Sequence, residues 1–233
     1  MAMNDELGFV LHSHPYKETS LIVELFLRER GRVSVVAKGA RRPHSALRPV
    51  LLQFQPVAFR LSGKRELRTL THAEWQGGLA MPAGRALLCG FYLNELLMRL
   101  LAREDPHPGL FDAYVAALDA FGREGAQEAV LRRFEWQLLQ EIGYAPDLLA
   151  DHQGLPLVET RFYRLNEGQW HPTDERTDHR CFSGRTLKHI AAGHYDQPGV
   201  LLQAKRLSRQ MLGTPLEGAS LNTRRILMDL QRL

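Results

Sequence analysis

Cysteine is almost missing from this sequence. The 233 residues contain two, Cys89 and Cys181, too far apart for a CxxC pair and too few for a disulfide framework. There is no run of eighteen apolar residues, so no membrane-spanning helix and no membrane partner are expected. The opening "MAMNDELGFV" is acidic and has no charged-then-apolar leader, which points to a cytoplasmic protein. The sequence also has no GxxxxGK[ST] loop to cradle phosphates, no GxSxG elbow and no HExxH. The expectation is therefore a binding protein, not an enzyme, with no cofactor. His152, His171, His179 and His194 gather with Asp151 and Cys181 in one polar stretch. Structural zinc wants four ligands, mostly thiolates in closely spaced pairs, and one thiol does not close such a site. No metal is expected, and these histidines read as surface loop residues.

Charge is present, and it is unevenly placed. Residues 1–80 carry twelve Lys/Arg against seven Asp/Glu; residues 81–150 carry six against ten; residues 151–233 carry twelve against nine. The net charge of +4 therefore hides basic terminal thirds around an acidic middle. Between Arg28 and Arg48 there are seven basic residues and one acid, Glu29. A concentration of this kind is the electrostatic footprint of a polyanion partner.

The first 75 residues read as all-β. Strands are expected at 8–13, 20–28, 32–38, 50–61 and 66–75, with tight turns at "RERGR" and "SGKRE". Five short strands in this length fit a five-stranded OB-fold barrel, with an SH3-like barrel as the alternative. "GGLAMPAG" (77–84) breaks the pattern and marks a boundary, giving an OB-fold domain at 1–79 and a helical domain at 80–233. The fold class is α+β. Helical periodicity covers the stretch from Arg85 to Asp105, then 107–121 and 126–144, where Gly143 and Pro146 end the third helix. Residues 147–181 are polar, with a small hairpin of "RFYRL" and "QWHP"; Ser183 caps the next helix, and two more follow.

"VAKGARRPHSALRP" (36–49) leaves a strand and at once presents Lys38, Arg41, Arg42 and Arg48 on a segment that Gly39 turns and Pro43 keeps from becoming helical. Loops at a small barrel's rim bind single-stranded nucleic acid through cations on phosphates and aromatic faces under bases.

The stretch "FVLHSHPYKETSLIVELFLRERGRVSVVAKGARRPHSAL" resembles the N-terminus of the RecO recombination-mediator family in Glu18-Thr19-Ser20, Gly31, Val36 to Arg41 and Ser45. "ELRTLTHAE" (66–74), "GFYLNELLMRLL" (90–101), "LRRFEWQLLQEIGY" (131–144), "FSGR" (182–185) and "AKRLSRQML" (204–212) resemble further family blocks in the same order. Many members carry a four-cysteine zinc module after the third helix; residues 147–181 look like a degenerate version of it that lacks the four-cysteine set and has only Cys181. His14 and Asn222 stand where the family pattern has basic residues.

The resemblance implies a nucleoid-associated DNA repair protein that binds single- and double-stranded DNA and anneals complementary strands. With the partner RecR it would help load the recombinase RecA onto strands coated by single-stranded-DNA-binding protein (SSB). The other reading is an OB-fold RNA-binding protein of translation or ribosome assembly. DNA contacts are expected from Lys17, Arg32, Lys38, Arg41, Arg42, Arg48, Lys64 and Arg65 in the barrel, and from Lys205, Arg206, Arg209 and Arg224 in the C-terminal helices. The family's pocket for the acidic SSB tail lies in the helical domain, and Arg132, Arg133 and Trp136 are the candidates for it here; internal ion pairs with Glu128 and Glu135 are the competing role for the two arginines. Elemental analysis of the purified protein after dialysis against a chelator should find well under one zinc per chain.

Overall fold

The structure is a computed structural model that describes residues 5–63, 67–123, 127–176, 178, 180–223 and 225–226. Five strands, β1 (Glu6–Tyr16), β2 (Ser20–Leu27), β3 (Gly31–Ala37), β4 (Val57–Ser62) and β5 (Leu67–Trp75), close into a barrel of order β1-β2-β3-β5-β4. All pairings are antiparallel except β3 with β5. That order, with one parallel pair closing the cylinder, is the OB arrangement rather than an SH3-like one.

Period-two alternation decides which side chains fill the barrel. Val23, Leu25 and Leu27 of β2 and Val33, Val35 and Ala37 of β3 point inward, with Val10, Val57, Phe59 and Leu70. The intervening residues of β2 and β3, Glu24, Phe26 and Ser34, point outward and are nevertheless buried. Helices α1 (Gly84–Leu100) and α2 (Pro108–Phe121) explain this. Phe111 and Tyr114 of α2 meet Phe9 and Phe26 with ring centroids 5.2–6.0 Å apart. Asn94 of α1 donates to the Leu11 carbonyl at 3.0 Å and accepts from the Tyr114 hydroxyl at 2.6 Å, so a buried polar link is satisfied at both ends. The Tyr114 phenol ionises far above its ordinary value because it is fully buried.

The chain forms two compact units. One runs up to Gln127 and regains the segment from Ser220; the other is Glu128–Ala219. The division expected at residue 79 separates barrel from helices along the chain, but α1 and α2 bury their apolar faces in the same unit as the barrel. Glu95 of α1 holds the returning segment by accepting from the Asn222 and Thr223 amides at 2.8 and 2.9 Å. Burial pushes its carboxyl up, but those amide bonds and Arg99 outweigh burial and hold it below the usual carboxylate range.

The second unit holds α3 (Gln127–Glu141, all but its first residue), a sheet of order β7-β6-β8 built from β6 (Phe162–Asn166), β7 (Gln169–Thr173) and β8 (Cys181–Ser183), then α4 (Gly184–Ala191) and α5 (Pro198–Gly213). The expected hairpin is β6–β7; the third strand is an addition, because three residues carry too little pattern to be seen in sequence. Ser183 caps α4 as expected, accepting from the Thr186 amide at 3.1 Å. The last helix expected from 220 onward lies mostly outside the described residues.

The fourth strand begins at Val57, not at residue 50. "VLLQFQP" is apolar for another reason: it crosses the barrel mouth, and Phe54 at φ +67° breaks any extended run. Tyr114→Phe, which leaves the Asn94 carbonyl oxygen unpaired in the core, should lower stability by about 1–3 kcal/mol. Tyr114→Ala should cost about 3–5 kcal/mol; urea unfolding of both variants checks the ordering.

Candidate nucleic-acid interface

The segment between β3 and β4 both closes the barrel and presents charge. Ala40 and Leu51 are buried, and Leu47 and Val50 pack on the same interior cluster. Gly39, at φ +70°, starts a series of tight turns carried by bonds from the Arg42 amide to Gly39, Ser45 to Arg42, and Arg48 to Ser45. With the apolar members turned in, Lys38, Arg41, Arg42 and Arg48 are all exposed. The Arg41 amide donates to the Thr19 carbonyl at 2.9 Å, and its guanidinium lies 3.3 Å from the Glu18 carbonyl. This stitches the segment to the β1–β2 hairpin, whose tip carries Lys17, itself 5.3 Å from the Tyr16 ring. An open pocket of about 520 Å³ is lined by Lys38, Gly39, Arg42, Pro43, His44 and Ser45. Among the described residues, no carboxylate pairs with Lys17, Lys38, Arg41, Arg42 or Arg48.

The outer face of the strands below this loop is open only in part. Glu24, Phe26 and Ser34 are covered, and Arg103 reaches Glu24 at 3.4 Å. Nearer the loop, His14, Ile22, Val36 and Thr69 are cross-strand neighbours on four adjacent strands. His14 is exposed and the other three are half-buried. This strip, capped by the loop cations, is the part of the face left accessible beside the loop. Sequence reading missed Ile22 and Val36 because they look like ordinary strand interior.

Not every expected cation is there. Arg32 lies on the outer face of the barrel but is turned against α1: its guanidinium donates to the Met98 carbonyl at 2.5 Å, and burial lowers its ionisation below the usual arginine value despite Glu24. It ties β3 to α1 and is not displayed. In the second unit, Lys205 approaches Glu128 at 3.4 Å, Arg206 stacks 5.4 Å from the Phe182 ring, and Arg209 is exposed on α5. Lys64, Arg65, Arg224 and His179 lie outside the described residues.

The three residues assigned to the SSB tail do not share a surface. Arg132 and Glu135 form a buried ion pair at 2.5 Å, with side chains 7% and 1% exposed. Trp136 is buried as well. Only Arg133 is exposed; it lies 5.9 Å from the Tyr195 ring and donates to the Gly193 carbonyl at 3.2 Å. Burial pushes the Tyr195 phenol up to about 12, with Arg133 pulling the other way. The helical period accounts for the split, since residues one apart point about 100° from each other. An internal ion pair with Glu135 is thus where the structure places Arg132; Glu128 faces Lys205 instead.

The histidines expected in surface loops fall into pairs instead: His152 stacks on His171 of β7 at 4.2 Å, and His194 faces His189 of α4 at 6.2 Å. Cys181 instead lies with Glu175 and Asp178, their ligand atoms within 4.8 Å of one another. The Arg164 guanidinium occupies that cluster, bonded to Asp178 at 2.9 Å and to Glu175.

Family models match almost the whole chain: "Recombination protein O N terminal" over residues 1–78 and "Recombination protein O C terminal" over residues 81–225. The chain is 47% identical over 238 residues to a DNA repair protein RecO of Polynucleobacter asymbioticus, covering 98% of this chain and 97% of that one. It is 46% identical to one of Azoarcus sp. (strain BH72), covering 99% and 98%. A third, from Burkholderia pseudomallei, is 45% identical over 98% of this chain and 84% of its own length. Glu135→Gln, which strips Arg132 of its buried counter-charge, should destabilise the protein by about 3–5 kcal/mol. Arg133→Ala on the exposed side should cost under about 1 kcal/mol; thermal or urea unfolding separates the two.

Proposed function

This chain belongs to the RecO family of DNA repair proteins, and from that premise we propose that it is a recombination mediator that binds DNA at the plugged end of its barrel. It takes single- and double-stranded DNA, anneals complementary strands, and with RecR helps load RecA onto SSB-coated single strands at the nucleoid. No helix among the described residues is long and apolar enough to cross a membrane.

The observation that carries this reading is the set of unpaired, exposed cations on a segment fixed at both sides. Phosphate oxygens are met by Lys38, Arg42 and Arg48 from the loop and by Lys17 from the hairpin, while Arg41 holds the two together and turns its charge to the same end. Arginine forks suit phosphate oxygens, and a pre-positioned cation loses little freedom on binding. Annealing brings two polyanions together, so its barrier is mutual repulsion; neutralising phosphates and releasing their counterions lowers it with no nucleotide cofactor. The basic side chains Lys205 and Arg209 of α5 add a second set of contacts, while Arg206 is held against the Phe182 ring. The SSB tail docks in the second unit, where Arg133 and Tyr195 offer an exposed cation beside an aromatic ring; the buried Arg132 supports that site from within.

Changing Lys38, Arg41 and Arg42 to Ala should weaken binding to all DNA sequences about equally. It should also flatten the plot of log affinity against log salt by about 0.7–0.9 units for each phosphate that is no longer neutralised. Fluorescence anisotropy of a labelled oligonucleotide between low and physiological salt measures both. Unchanged affinity and slope would mean that the loop is only solvated surface.

A further inference from the structure

Of the three tryptophans, Trp170 and Trp136 are buried at 1% and 7% exposure, while Trp75 is 59% exposed. An exposed indole is costly to leave in water, and this one is not loose. Its Nε1–H donates to the Gln55 Oε1 at 3.0 Å. The other end of the Gln55 amide donates to the Leu79 carbonyl at 3.4 Å. Gly77, at φ +70°, turns the chain back past the six-membered ring, where a Cβ would stand 3.6 Å from the indole. The ring is thus oriented by its polar edge and left open on its surface.

Its place follows from the sheet register. Trp75 pairs with Val57, whose side chain lies in the barrel interior, so Trp75 is on the interior side. Ala73, two residues earlier on the same face, still packs on the interior cluster, and Trp75, the last residue of the strand, is largely exposed, so it stands at the rim. β3 and β5 run parallel, so the loop that leaves β3 and the tryptophan that ends β5 emerge at the same end of the barrel. The segment 38–56 starts at the cations and finishes beside Trp75, where the Gln76 amide donates to Pro56.

We propose that Trp75 is a stacking platform for an unpaired base of single-stranded DNA whose phosphates lie on Lys38 and Arg42. The inference rests on the DNA-binding reading above and adds the residue that tells single strands from duplex. A paired base keeps its faces inside the stack, so only an unpaired one can lie on the indole. The occupant is a nucleobase rather than a protein side chain because the neighbouring end of the barrel carries an uncompensated set of cations. Gln55 is the positioning residue.

The two buried tryptophans add a background that a strand on the surface does not touch, so the change in emission on binding, absent in Trp75→Phe, reports on this site. Titrating the wild-type protein with unlabelled oligo(dT) should quench and shift that emission, with a midpoint matching anisotropy of labelled oligo(dT). Trp75→Ala should weaken oligo(dT) binding by roughly 5- to 150-fold, the span typical of single base–aromatic stacks. Trp75→Phe should recover most of that loss, and binding to a blunt duplex should change by less than twofold in either variant. An unchanged thermal midpoint, expected for an exposed site, excludes misfolding as the cause. If Trp75→Ala binds oligo(dT) like the wild type, or if emission stays flat while the strand binds, the platform is wrong and the loop reading stands. If Trp75→Ala keeps DNA affinity but loses capture of purified RecR, the patch is a protein contact and the platform is likewise wrong. If the wild type binds no DNA at all, the underlying reading falls with it.

Discussion

Ala40, Leu47, Val50 and Leu51 plug one mouth of the barrel, and what that end of the molecule can do depends on this contact. Five short strands enclose an apolar interior but do not cover its ends, so a connecting segment has to cross the opening and lay side chains into it. Each buried Leu or Val there contributes about 1.5–3 kcal/mol relative to exposure. Once the apolar members are committed inward, the basic residues between them have only the solvent side left. The cations are therefore held by hydrophobic burial, together with the stitch from Arg41 to Thr19, and not by a flexible loop that happens to be charged.

The same logic decides where charge is left free. Elsewhere on the first unit, arginines meet carboxylates: Arg28 with Asp112, Arg30 with Glu6, Arg60 with Asp5, Arg68 with Glu104. Exposed pairs of this kind add little stability, typically under about 1 kcal/mol each. Their larger effect is on the field. They cancel charge on the flanks, so among the described residues of the first eighty the exposed positive charge that no carboxylate meets falls on the loop and the hairpin tip. Covering the lower strand face with α1 and α2 works in the same direction, because it leaves one end of the barrel as the open approach for a polyanion.

Much of this was legible in the sequence. Alternation located β1, β2, β3 and β5, and the Gly39–Pro43 run identified the presenting loop, because both signals are local. Two failures have a common cause. The run "VLLQFQP" reads as a strand, since apolar content alone does not tell a strand from a plug. Arg32, Arg132 and Arg206 read as display cations, but their partners, Met98, Glu135 and Phe182, are set by packing. A basic residue beside apolar neighbours is ambiguous until the facing element is known. Arg132 and Arg133 make the point within one turn of helix: one is sealed against Glu135 and the next reaches solvent. Trp75 is the converse case. It ends an ordinary amphipathic strand, and only the register with Val57 shows that it stands at the rim.

The small sheet of the second unit is held by buried aromatic rings and by one guanidinium among acidic groups. Trp170, Tyr163 and Phe182 are almost fully buried within it, and the Trp170 indole donates to the Asp147 carbonyl at 2.7 Å. Glu175, Asp178 and Cys181 would repel one another if all were ionised. Arg164 lies among them and supplies the positive charge that the cluster needs. Asp178 is held below the usual carboxylate range chiefly by the Arg180 amide, with Arg180 and Arg164 adding to it. A guanidinium gives directed hydrogen bonds from a side chain that is part of the strand itself. The cross-link therefore joins β6 to the segment that leads into β8.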